Sequence, residues 1–269
     1  MDTNGSESGK QTHADILAAG ISPLAVPNFV PQPVRGRIEE RLIRLRRYPQ
    51  RATFFVFPAL FLTITVGAES STPATTVTAM GTFVIPWVLG SVFGLNPLGD
   101  DGPALPVTIL ALPASTYVRS IAVPAVLFGL PLLTIWTIGG GLIAGLPFST
   151  WAGFEGVGIV LTGFAAVFAP AVGLHIPQYN SMRVGGRSTL VLPSWFALAI
   201  ETVVLGIMSA VGQIFVTQTF LVTVISQLLH TPSVLIQLLG IGIWLLAAAA
   251  ITAEVYSNAV RVVSQLTIE

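Results

Sequence analysis

Long apolar runs dominate this chain, and short polar or Gly/Pro-rich breaks separate them. A helix needs about 20 residues to cross about 30 Å of hydrocarbon. On that measure the pattern predicts crossings over about 52–68, 76–94, 121–145 and 153–175, with a fifth beginning near Trp195 and a sixth over about 233–257. The first is short, and Pro58 inside it is a candidate kink. The stretch 195–230 does not fit the simple count. As one helix it would extend roughly 50 Å at about 1.5 Å per residue, yet it is too short for two crossings and a turn. Gln213, Gln218 and Gln227 punctuate its second half. The pattern therefore predicts one crossing to about Thr217 and a short helix over 219–229, lying at the outer interface or dipping in and returning. Trp195 and Trp151, at opposite edges of the apolar zone, suit interfacial anchoring.

The polarity changes before the first crossing. Residues 1–15 are polar and Ile16–Val34 is moderately apolar but broken by Pro23, Pro27, Pro31 and Pro33, so 1–33 read as a mostly flexible tail without a secretory-signal pattern. Over 34–51, Val34, Ile38, Leu42 and Leu45 recur at helical spacing, arginines fill the other face, and Glu40 precedes Arg44 at the supportive i,i+4 spacing. This predicts an amphipathic helix on the cytoplasmic leaflet, apolar stripe inward and arginines toward anionic headgroups. An ordinary solvated basic helix is the plainer alternative. The expected fold is an all-α polytopic membrane protein: tail 1–33, interfacial helix 34–51, six-span domain 52–258 and C-terminal tail 259–269.

Charge supplies orientation. All twelve basic residues fall on one side of this alternating topology. Lys10 and seven arginines, Arg35 to Arg51, precede the first crossing. Arg119 lies between the second and third, Arg183 and Arg187 between the fourth and fifth, and Arg261 after the sixth. Basic residues near span ends set topology, so both termini are expected in the cytoplasm of a cell (plasma) membrane protein. The chain is 53% hydrophobic and only 9% charged, and its spans leave no room for a separate catalytic domain. Cysteine is absent, and His13, His175 and His230 have no ligand-like spacing, so no metal or other cofactor is expected. No nucleic-acid partner is expected either. Gly5–Gln11 superficially resembles a phosphate loop but has the wrong glycine spacing and Gln11 in place of the Mg²⁺-binding hydroxyl.

The chemistry-bearing candidates are few. The connection 95–120 opens with the turn cluster Asn96-Pro97-Leu98-Gly99-Asp100-Asp101-Gly102; Leu105, Ile109 and Leu112 then repeat at helical spacing, and Pro113 and Arg119 follow. An acidic turn presenting a short amphipathic helix reads as a partner-docking surface, or as a loop with an interfacial helix. Glu201 lies six residues beyond Trp195, roughly 9 Å along a helix. At that depth it serves either transport or a satisfied structural role. Glu155 and Glu254 sit near span ends, where an interfacial reading suffices. The spacings Gly90/Gly94 and Gly141/Gly145 fit close helix approach, within the chain or between copies.

In element order, and in the segment Phe93–Gly102 followed by Leu112-Pro113-Ala114-Ser115 and Val118-Arg119, the chain resembles the permease subunit of ABC-2 type transporters, haloarchaeal members included. The resemblance covers about 35–258. It implies that 95–120 carries a coupling helix for a separate ABC-type ATPase subunit, with Asp100, Asp101, Gly102, Leu105, Ile109, Leu112 and Arg119 as docking residues. It also implies a homodimer or a pair with a related permease, an ATP-driven exporter, and no bond chemistry in this chain. Two other classes remain: a non-transporting assembly or accessory protein (or truncated permease fragment), and an ion-coupled secondary transporter using Glu201.

Overall fold

The computed structural model describes residues 30–184, 188–217 and 220–266. Among them, six helices are long and apolar enough to cross a membrane. The chain is an all-α, multi-pass membrane protein. The spans are α2 (Gln50–Glu69), α3 (Pro73–Gly94), α6 (Ala114–Ile143), α7 (Phe148–His175), α8 (Trp195–Val216) and α10 (Ser233–Ser264). Helix α1 (Gln32–Arg47) precedes them. Two short helices follow α3, namely α4 (Pro97–Asp101) and α5 (Leu105–Ala111), joined by a 3₁₀ turn at Gly102–Ala104. The stretch 219–229 is occupied by a separate short helix, α9 (Phe220–Leu229). The phosphate-loop look-alike and most of the expected tail, residues 1–29, lie outside the described residues.

Helices α3 and α7 form the centre. Their span windows are 56% and 67% buried, against 22% for each of α2, α8 and α10. Small residues permit that pairing. A methyl group added at Gly90 would sit 3.3 Å from the Ala165 Cβ, and one at Gly94 would lie 2.6 Å from Pro170 Cδ. The Gly90/Gly94 spacing thus serves a crossing within the chain. Gly145 has a different task. Its φ is +61°, and it closes α6 with a hydrogen bond to the Leu142 carbonyl at 3.2 Å, while Leu146 N–H reaches the Gly141 carbonyl at 2.9 Å. This is the left-handed Schellman ending that favours glycine.

Three features depart from the sequence reading. Helix α6 begins at Ala114, directly after Pro113, rather than near 121, and it carries Arg119 on an exposed face, where Nε donates to the Tyr256 hydroxyl at 3.1 Å. At 30 residues, α6 is about 45 Å long and projects beyond the hydrocarbon. Helix α10 likewise continues to Ser264, and Ala259 and Val263, expected in a tail, pack in one buried cluster with Tyr117, Val118 and Ile121. Finally, the connection after α7 contains a two-stranded antiparallel hairpin, β1 (Ser181–Val184) and β2 (Ser188–Val191), with Ser181 opposite Val191 and Val184 opposite Ser188.

The placement of α1 corrects the expectation for its arginines. Its stripe Val34, Ile38 and Leu42 is buried in the same cluster as Val88, Val92, Phe93, Ala122 and Ala125 of α3 and α6, so it faces the bundle. Arg46 and Arg47 are exposed, but Arg37, Arg41 and Arg44 turn toward the connection after α3. Helical periodicity shows which residues share a face; it does not show what that face meets.

Candidate functional site

The connection after α3 begins with a backbone problem. In a continuing helix, the Phe93 carbonyl would accept from the N–H of residue 97, but that residue is Pro97 and has none. Arg41 Nη1 supplies the missing donor, reaching the Phe93 oxygen at 2.8 Å. A cation at a helix C-terminus also complements the helix dipole. Pro97 then opens α4, which sets Asp100 and Asp101 beneath α1.

Asp101 is the hub. Its Oδ2 accepts from Arg37 Nη2 at 2.7 Å and from the Tyr117 hydroxyl at 2.9 Å. Its Oδ1 lies 3.8 Å from Arg44 Nη1 and 3.9 Å from Arg41 Nη2 and accepts no hydrogen bond among the described residues. The Asp100 carboxylate pairs with Arg51 Nη1, and the Asp100 carbonyl accepts from Arg44 Nη1. Arg37 also stands over the Tyr117 ring, with Cζ 5.9 Å from the centroid. Burial alone would lower the Arg37 pKa; the Asp101 carboxylate, and then Glu40, outweigh it and hold the guanidinium above its ordinary value. Arg37 therefore stays charged at any accessible pH.

This geometry overturns one part of the sequence reading. The acidic turn was expected to be exposed, yet the Asp101 and Asp100 side chains are 0% and 5% exposed. They lock α1 to α4, and neither presents a free carboxylate to a partner. Gly102, with φ +44°, turns the chain out of α4. Helix α5 then places Leu105, Ile109 and Leu112 in half-buried positions. Its outward face carries Val107 and Leu110, which are 70% and 79% exposed. Arg119 lies apart from the acidic turn, against Tyr256 of α10. The seven expected docking residues thus divide among an internal ion network, the underside of α5 and a separate α6–α10 contact.

Glu201 sits inside the bundle. It is 0% exposed, and its Oε2 accepts from Ser91 Oγ of α3 at 2.6 Å. Among the described residues its Oε1 has no hydrogen-bond partner, and it lies where a Gly90 Cβ would be 2.6 Å away. Glycine at 90 is what leaves room for the carboxyl group. One turn of α3 away, Trp87 Nε1 donates to Thr202 Oγ1 at 2.8 Å, so α3 and α8 are joined by two polar contacts.

Some polar partners were not anticipated. Glu155 is not simply an interfacial acid: it accepts from Thr134 Oγ1 at 2.6 Å and from Thr137 Oγ1, both on α6. Gln213 donates to Thr82 Oγ1 at 2.9 Å and to the Ala79 carbonyl at 3.1 Å. The i,i+3 threonine pair opposite a span-end glutamate was the available signal.

Searched against family models, curated proteins and solved structures, the chain matches none.

Proposed function

We propose that this multi-pass membrane protein is the membrane-spanning permease subunit of an ATP-driven ABC-2 type exporter. It engages a separate ATPase subunit through the 95–120 connection and works as a homodimer or with a related permease. The observation that carries this reading is the outward apolar ridge of α5, Val107 and Leu110, on the side of the bundle where the described basic residues gather. Its base supports a mechanical role. The ion network fixes α4 to α1, and Leu105 packs with the Leu98, Tyr117 and Val118 cluster at the foot of α6. A push on α5 would therefore pass to α1, α3 and α6 together. The resemblance of Phe93–Gly102 and Leu112–Arg119 to the family's coupling region supports the same assignment. Purification from native membranes in mild detergent should retain an ATPase polypeptide. Complexes in which no nucleotide-binding chain is found would overturn the reading.

A second reading rests on Glu201. A buried carboxyl oxygen with no hydrogen-bond partner is the kind of group that ion-coupled transporters use. Gradient-driven transport without ATP in proteoliposomes containing this chain alone would favour it over the first.

A further inference from the structure

Among the described residues, unsatisfied donors gather at one place: the boundary between the arginine network and the spans. A cavity of about 420 Å³ opens there, lined on its polar side by Arg41, Arg44, Arg51, Tyr48 and Asp100. Arg51 is in the first turn of α2, and Phe93, which lines the opposite wall with Leu45 and Val92, is in the last turn of α3. The cavity therefore sits at the edge of the hydrocarbon on the basic side of the bundle.

The internal acids leave these arginines incompletely used. Arg41 is 6% exposed, yet its Nε and Nη2 have no hydrogen-bond partner, and the same is true of Arg51 Nε and Nη2. The cavity lining carries three guanidiniums against one carboxylate. With the groups behind it included, Arg37, Arg41, Arg44 and Arg51 face Glu40, Asp100 and Asp101, four positive charges against three negative. A buried donor without an acceptor is destabilising. Guanidinium forks match phosphate oxygens in shape and charge. The apolar wall of Leu45, Val92 and Phe93 distinguishes the expected ligand from a bare anion: it fits a phosphate continued by an apolar body.

We infer that this cavity binds the phosphate of an anionic membrane phospholipid, with the headgroup between Arg41 and Arg51 and the glycerol and upper acyl chain along Phe93 and Leu45. The bound lipid would offset the excess positive charge of the lining, three guanidiniums against one carboxylate, and brace α1 against α2 and α3. A soluble phosphate ester shares the headgroup chemistry but makes no use of the apolar wall.

The test uses the delipidated full-length protein in detergent, titrated with phosphatidylglycerol, phosphatidylcholine or inorganic pyrophosphate and read by native mass spectrometry. Phosphatidylglycerol should bind about tenfold tighter than phosphatidylcholine, because both offer a phosphate but the choline ammonium sets a further cation against the three guanidiniums of the lining. Leu45→Trp, which fills the cavity and keeps every charge, should abolish that preference with an unchanged circular dichroism spectrum. Arg51→Gln should reduce it about tenfold, and if that variant does not fold, Leu45→Trp alone decides. Equal binding of the two lipids, or a preference that survives Leu45→Trp, would overturn the inference. Pyrophosphate binding as tight as phosphatidylglycerol would overturn the lipid assignment and point to a soluble phosphate ester.

Discussion

Asn96 holds the backbone of Gln178 from both sides. Its Nδ2 donates to the Gln178 carbonyl at 2.8 Å, and its Oδ1 accepts from the Gln178 N–H at 3.1 Å. The side chain acts as a one-residue strand partner, fully buried, between the turn after α3 and the connection after α7. It fixes the two central spans to each other at their basic ends. A small glycine completes the approach, because a Cβ on Gly99 would lie 2.2 Å from that same Gln178 carbonyl.

Asn96→Ala removes both hydrogen bonds and leaves two backbone groups unsatisfied, a loss of about 2–4 kcal/mol. Asn96→Asp should be no better. It can still accept from Gln178 N–H, but it sets a second acceptor against the Gln178 carbonyl. Thermal unfolding in detergent should show both variants well below the parent protein. An Asp variant as stable as the parent would show that the clamp contributes little.

The ion network should behave as structure. Removing one member of a buried pair costs about 3–5 kcal/mol, whereas replacing both by apolar groups is often neutral. Asp101→Asn is therefore expected to lower the yield of folded protein, and Arg37→Met combined with Asp101→Leu to recover much of it. Folding yield by fluorescence-detected size exclusion separates the cases. The same reasoning makes charge reversal at Asp100 or Asp101 a poor probe of partner docking, since it damages the fold first.

Docking is better probed on the exposed ridge. Val107→Asp and Leu110→Asp change surface positions, so stability should move by no more than about 0.5 kcal/mol. Both should release the ATPase from copurified complexes, while Thr108, buried on the other face, should tolerate Ser without loss of the partner. Unchanged copurification with both Asp variants would move the contact away from α5.

Hydropathy located the six spans and the short helix before α10, because apolar length is a local property of the sequence. It did not show the direction of the arginines. Arg37 and Asp101 are 64 residues apart, and nothing local distinguishes an arginine that meets a headgroup from one that meets a buried aspartate. Pro97 was the legible clue, since it leaves the Phe93 carbonyl without its helical donor. The hairpin was also within reach: Gly185-Gly186 between the alternating residues of 182–184 and 188–190 is a turn signal. That signal is weak because the segment is short and polar beside long apolar runs. Glu201 was singled out by depth alone, but Ser91 as its partner and Gly90 as the space for it come from the α3–α8 contact.

Topology has a direct test. If the side on which the described basic residues gather is cytoplasmic, cysteines placed singly at Ser71 and Ser149, both exposed at the opposite ends of the spans, should react with an impermeant thiol reagent on intact cells. Cysteines at the exposed Ala111 and Ser264 should react only after permeabilisation. Labelling of Ala111→Cys from outside would reverse the orientation and remove α5 from the reach of any cytoplasmic ATPase.

The Glu201 carboxyl group separates a structural role from a transport role. Among the described residues only Ser91 bonds it, and the Trp87–Thr202 contact already ties α8 to α3 nearby. Glu201→Gln keeps the shape and an acceptor for Ser91 and removes the titratable group. If the residue is structural, that variant should insert normally and retain most transport. Glu201→Leu, which leaves Ser91 without its partner in the bundle, should then lower the thermal midpoint, by about 1–3 kcal/mol of stability. If the carboxyl group carries an ion or lies on the transport path, Glu201→Gln should fold as well as the parent and lose substrate-stimulated ATP hydrolysis in the assembled complex. The single contact to Ser91 and the room made by Gly90 lead us to expect the structural outcome. Loss of transport in a stable Glu201→Gln protein would instead place the carboxyl group in the mechanism.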